Sequence, residues 1–65
     1  MYNVGDRVKF VNLIGNLWEG TYATVSSIDG NTFWFKRDDN ATGTLERGYL
    51  ERHTKLLASI SLENK

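Results

Sequence analysis

His53 is the sole histidine in the sequence, and no cysteine accompanies it. A thiolate metal site, a cysteine nucleophile and a disulfide staple are therefore excluded. An isolated imidazole within Leu50-Glu51-Arg52-His53-Thr54 reads as a turn residue or a partner of Glu51, because no second ligand or base stands near it. Gly15 and Gly20 flank Leu17 and Trp18, with no Lys-Ser or Lys-Thr behind them. They read as turn glycines, since a phosphate cradle needs successive N–H groups aimed at one anion. Asp38 and Asp39 directly follow Lys36 and Arg37 and read as a solvated turn rather than an acid–base pair. The expectation is a protein that is not an enzyme, with no catalytic residue, metal or cofactor.

The aromatic residues say more. They are Tyr2, Phe10, Trp18, Tyr22, Phe33, Trp34, Phe35 and Tyr49. Alternation assigns Phe10, Phe33 and Phe35 to a core, where burial stabilises by roughly 1.5–3 kcal/mol each. The same alternation turns Tyr22 and Trp34 outward on adjacent strands, with Thr24 and Lys36 beside them. An outward tryptophan on so small a protein asks for a reason. One reading makes Trp34 and Tyr22 stacking or hot-spot anchors with Lys36 and Arg37 at the rim; the other has the 12–20 loop or the C-terminal tail cover Trp34. Trp18 has two readings as well, a contact residue or a cap on the open end of the fold. Interleaved charges usually mean a solvated face, but a basic stripe arises if Arg7, Lys9, Lys36, Arg37 and Arg47 converge. The partner-binding candidates are Trp18, Tyr22, Trp34, Lys36, Arg37 and Arg47.

These side chains need short strands to hold them. Apolar residues recur at period two, with Gly, Asn and Asp between the runs and no proline anywhere. A first strand is expected over 7–11, with Val8 and Phe10 inward. An irregular loop over 12–20 follows, then a second strand over 21–28 with Ala23 and Val25 on one face. Ile28 breaks that parity, which predicts a bulge at Ser26-Ser27 that returns it to the core. A two-residue Gly30-Asn31 turn closed by Asp29 and Thr32 sets Ile28 opposite Phe33 and opens a third strand over 32–36. A fourth strand is expected over 42–50, containing Leu45 and Tyr49. A helical turn near 50–54 then leads into a last strand from Lys55, in which Ala58, Ile60 and Leu62 alternate.

The chain has 65 residues and 7.4 kDa, room for one domain over 1–62 with a frayed 63–65. Eight Lys and Arg balance eight Asp and Glu, which excludes a strongly basic DNA binder and an acidic DNA mimic. No apolar run approaches the ~18–20 residues of a membrane span. The expected setting is the cytoplasm, or the host cytoplasm if the gene is phage-borne. The start at Met1 further suggests a complete small gene product.

Val4-Gly5-Asp6-Arg7-Val8-Lys9-Phe10, a glycine-containing loop, the strand from Gly20 to Val25, Ile28-Asp29-Gly30-Asn31, an aromatic strand and Tyr49-Leu50…Leu56-Leu57 resemble an SH3-like small β-barrel in KOW or Tudor style. The resemblance implies an all-β, partly open barrel of about five strands with a short helical turn before the last. KOW-like barrels often bind RNA or the transcription and translation machinery, Tudor-like ones hold methylated side chains, and true SH3 domains bind Pro-rich peptides. Gly5-Asp6-Arg7-Val8-Lys9 with Trp18-Glu19-Gly20 is also similar to plasmid-borne type II dihydrofolate reductases, but their Val-Gln-Ile-Tyr strand is missing. The leading expectation is a binding module that docks on a protein or nucleoprotein, RNA or DNA included, through one barrel face. Beside it stand a phage or mobile-element protein acting on a host enzyme and, because 58–62 could pair with its own copy, a homodimer.

Overall fold

In the computed structural model, which describes residues 2–59, the chain forms five antiparallel strands in one open sheet. The strands are β1 (Arg7–Phe10), β2 (Tyr22–Asp29), β3 (Thr32–Arg37), β4 (Thr42–Glu46) and β5 (Thr54–Ala58). Their order across the sheet is β4-β3-β2-β1-β5, so β4 and β5 are its two edges. Between β4 and β5 lie a 3-10 turn, Arg47–Tyr49, and the single-turn helix α1, Leu50–His53. The all-β class, the strand number and the helical turn before the last strand are as the alternation predicts.

One face of the sheet carries the core. Val8, Phe10, Ala23, Val25, Phe33 and Phe35 are buried there, and Leu50 of α1 closes over them. Phe10 meets the edge of Phe35 with ring centroids 5.1 Å apart, a favoured aromatic geometry. The N-terminal turn is tied in by the buried carboxylate of Asp6, which accepts the Asn3 N–H at 2.8 Å. At the other end, Thr54 Oγ1 donates to the Leu50 carbonyl and accepts from the Tyr2 hydroxyl at 2.8 Å. A buried hydroxyl is thereby satisfied at the helix-to-strand junction.

The hairpin between β2 and β3 follows the predicted register. Asp29 pairs with Thr32, Ile28 with Phe33 and Val25 with Phe35. Gly30 has φ +60°, while Asn31 is not in the left-handed region, the pattern of a turn with glycine at its first position. The ladder passes from Val25–Phe35 to Ser27–Trp34, so Ser26 is the extra residue of a bulge. Ile28 does return to the side of Phe33, but at the hairpin's end it stays 36% exposed and is not in the core.

The fourth strand is shorter than the 42–50 expected from sequence. It stops at Glu46, and Tyr49 belongs to the 3-10 turn, where it is exposed and stacks on His53 at 6.1 Å. Leu45 and Tyr49 are four apart, a spacing that fits a strand face and a helical turn alike. His53 sits at the end of α1, its Nδ1 buried without a hydrogen-bond partner. Among the described residues no group of three His, Cys, Asp or Glu side chains could hold a metal ion. The expected alternation at Ile60 and Leu62, and the frayed 63–65, fall outside the described residues.

Candidate functional site

Opposite the core, the outer face of the sheet is organised in rows by the strand pairing. Side chains at every second position share a face, and paired residues sit side by side. The first row is Lys55, Lys9 and Tyr22, running from β5 through β1 to β2. The second is Arg7, Thr24, Lys36 and Thr42, from β1 to β4. The third is Ser27, Trp34 and Thr44, and the fourth is Asp29, Thr32 and Glu46. Two rows are cationic, one is centred on an indole, and the last is acidic.

Trp34 is 43% exposed and Tyr22 44% exposed. Of the two covers expected for Trp34, the 12–20 loop packs on the opposite face, where Leu13 and Trp18 lie against the core, and the C-terminal tail beyond residue 59 lies outside the described residues. The Lys9 ammonium lies 5.7 Å from the centre of the Tyr22 ring, within cation–π range. Arg7 is engaged: its guanidinium binds both carboxylate oxygens of Asp38 at 2.7 and 3.1 Å and also reaches Thr24 Oγ1 at 3.0 Å. Asp38 is held below the ordinary carboxylate range by its hydrogen bond to Arg7. Among the described residues, Lys9, Lys36 and Lys55 are in no ion pair.

The six candidates from sequence do not form one surface. Tyr22, Trp34 and Lys36 share the outer face. Trp18 and Arg37 lie together on the core side: Trp18 meets Phe10 edge-on at 4.9 Å, and the Arg37 guanidinium covers the Trp18 ring at 4.9 Å. Arg37 is fixed there by a bidentate pair with Asp39, its Nε and Nη2 at 2.8 and 2.7 Å from the two oxygens. That pair, with the Ala41 N–H, lowers the Asp39 carboxyl to about 2. Arg47 is at the far end of the core, its guanidinium 5.2 Å from the centre of the Phe33 ring and Nη2 donating to the Gly30 carbonyl at 3.2 Å. The five-residue basic stripe is thus split, with Arg7, Lys9 and Lys36 outside and Arg37 and Arg47 on the core side.

Trp18 is a cap, and Gly43 is the reason it fits. A Cβ at position 43 would come within 2.9 Å of Trp18 Cζ2, so only glycine lets the indole lie on β4. The loop behind it is ordered by its own hydrogen bonds. Asn16 Oδ1 accepts the Trp18 N–H at 2.8 Å, and Glu19 Oε1 accepts the Leu13 N–H. That order leaves Ile14 97% and Leu17 86% exposed at the loop tip. Lys9 is expected from sequence only as a member of the basic stripe, and Lys55 not at all. The signal for Lys55 is the β1–β5 pairing, which sets it beside Lys9 and cannot be read from local alternation.

Comparison with protein families, with curated proteins and with solved structures finds no match. Function therefore has to be argued from the chemistry of the surface.

Proposed function

We propose that this chain is a non-catalytic binding module that docks on a polyanionic partner, a nucleic acid or a nucleoprotein, through the outer face of its sheet. The observation that carries the proposal is the placement of Lys9, Lys36 and Lys55, outside any described ion pair, on the same face as the exposed residues Tyr22 and Trp34. A chain of zero net charge has little long-range attraction for phosphate, but three lysines on one small face supply a local one. The strand order, with a 3-10 turn and a helical turn ahead of the last strand, supports the SH3-like reading, and with it the KOW-like habit of RNA contact. Fold likeness is the weaker support, since small barrels host many functions.

The test is binding of fluorescent oligonucleotides, single-stranded and duplex, followed by anisotropy at low salt. Affinity in the range of about 10⁻⁴ to 10⁻⁶ M is expected for a few phosphate contacts, falling as salt rises. Lys36→Glu should weaken binding and make its salt dependence shallower. Absence of binding at low salt, or indifference to Lys36→Glu, would refute the proposal.

A second reading, an accessory protein that docks on a host protein, draws on the loop tip. Two aliphatic side chains at 97% and 86% exposure, on a loop held by its own hydrogen bonds, have the character of interface anchors. Ile14→Ser with Leu17→Ser should then abolish a protein complex while leaving oligonucleotide binding alone.

A further inference from the structure

We infer that the outer face takes single-stranded rather than duplex nucleic acid, with one base stacked on Trp34, another two nucleotides along on Tyr22, and a phosphate between them on Lys36. This rests on the docking reading above and names the class of polyanion.

The geometry comes from the register. Tyr22 and Trp34 are two rows apart on neighbouring strands, with Thr24 and Lys36 paired in the row between. Rows on one face repeat every two residues, roughly 6.7 Å along the strand, and adjacent strands lie about 4.8 Å apart. The backbone positions of Tyr22 and Trp34 are therefore about 14 Å apart, with Lys36 in the row between them. Rings so placed offer π-faces, and only unstacked bases have faces to return; inside a duplex each base is covered by its neighbours. A single strand drawn out along the face satisfies both rings and presents phosphate to the lysine between.

Charge sets the direction and the limit of the track. The row of Tyr22 itself continues across the sheet into Lys9 and Lys55, which would hold the next phosphates. The row beyond Trp34 holds Asp29 and Glu46, which repel them. The strand therefore runs from the β5 side diagonally to Trp34 and stops short of the acidic row. Hydroxyls of Thr24, Ser27, Thr42 and Thr44 line the same path and can donate to phosphate or base edges. Nothing along it presents a planar donor–acceptor pair for reading base identity, so little sequence preference is expected.

The experiment uses the whole chain with an oligothymidylate of about ten nucleotides, within the span one small barrel covers, and a blunt duplex of the same length. Trp18→Phe leaves Trp34 as the only indole, and its emission is followed during titration. Anisotropy of labelled oligonucleotide, with the Trp34→Ala and Trp34→Phe variants of the otherwise native chain, gives the same answer if Trp18→Phe perturbs the fold. The inference requires quenching of Trp34 by the single strand, weaker binding of the duplex and a log–log salt slope near −2, as three phosphate contacts on a single strand would give. It also requires a loss of roughly 5- to 150-fold on Trp34→Ala, largely restored by Trp34→Phe. Glu46→Lys should tighten binding by extending the track. If the duplex binds as tightly as the single strand and Trp34→Ala changes nothing while Lys36→Glu weakens both, the stacking inference is overturned and the polyanion reading stands. If neither oligonucleotide binds at low salt, both fall, and a protein becomes the partner to seek.

Discussion

The two tryptophans of this chain lie on opposite sides of one sheet and meet opposite fates. Trp18 reaches the sheet from a loop, lies over Gly43 and against Phe10, and has Arg37 laid across its other surface. Trp34 is built into the middle of β3, flanked by Ser27 and Thr44, and nothing among the described residues is laid over it. The loop-borne ring is used to close the core, whereas the strand-borne ring is left facing outward on the best-supported strand of the sheet. A rigid strand presents an aromatic ring without the cost of ordering a loop, which suits a ring meant for a ligand.

The contrast can be broken most severely from beneath. Phe35 is fully buried and touches Phe10, so Phe35→Ala should cost about 3–5 kcal/mol. In a domain this small that approaches the whole stability, and chemical denaturation should find the variant largely unfolded. Trp18→Ala should cost less, about 2 kcal/mol, because the ring is only half-buried; Gly43→Val should cost a similar amount by displacing it. Both shifts would appear as lower denaturation midpoints. Trp34→Ala should change stability by only about 0.5 kcal/mol while weakening oligonucleotide binding by the factor given above. Equal destabilisation by the two tryptophan substitutions would erase the distinction between cap and contact.

Acid supplies the mildest probe. Asp39 is lowered from 3.8 to about 2 by its bidentate bond to Arg37 and by the Ala41 N–H. A carboxylate lowered on folding adds stability that is present above its unfolded value and is lost as pH falls through its folded one. Melting curves between pH 5 and 2 should therefore show a small loss that Asp39→Asn reduces, the pair of Asp38 with Arg7 accounting for a further part. The Arg37 clamp on Trp18 should loosen over the same window, with Trp34 unaffected.

Much of this arrangement is legible in the sequence because strand parity is a strict rule. The Gly30-Asn31 reversal, the bulge before Ile28 and the outward Trp34, Tyr22 and Lys36 all follow from counting by twos. The same count also places the two arginines: Arg37 shares the parity of Phe33 and Phe35 and pairs with buried Ala23, and Arg47 shares that of Leu45, so both lie on the core side and neither belongs to the outer face. Non-local pairing, by contrast, is invisible to parity, and Lys55 joins the outer face only through the pairing of β5 with β1. The early end of β4 has a similar cause. Its 3-10 turn has no side-chain cap to announce it, and Tyr49 keeps a spacing that a strand also permits.

The extra residue in β2 makes one strand obey two arithmetics. Before Ser26 the odd positions point inward, and after it the even ones do. Deleting Ser26 would let Val25, Ser27 and Ile28 alternate without a bulge, Ile28 still facing in, whereas deleting both serines would turn the distal half of β2 over as a unit, sending Ile28 to solvent and Asp29 beneath the sheet. The distal hairpin is thereby a separately phased piece that tolerates the loss of its spare serine but not the loss of the pair.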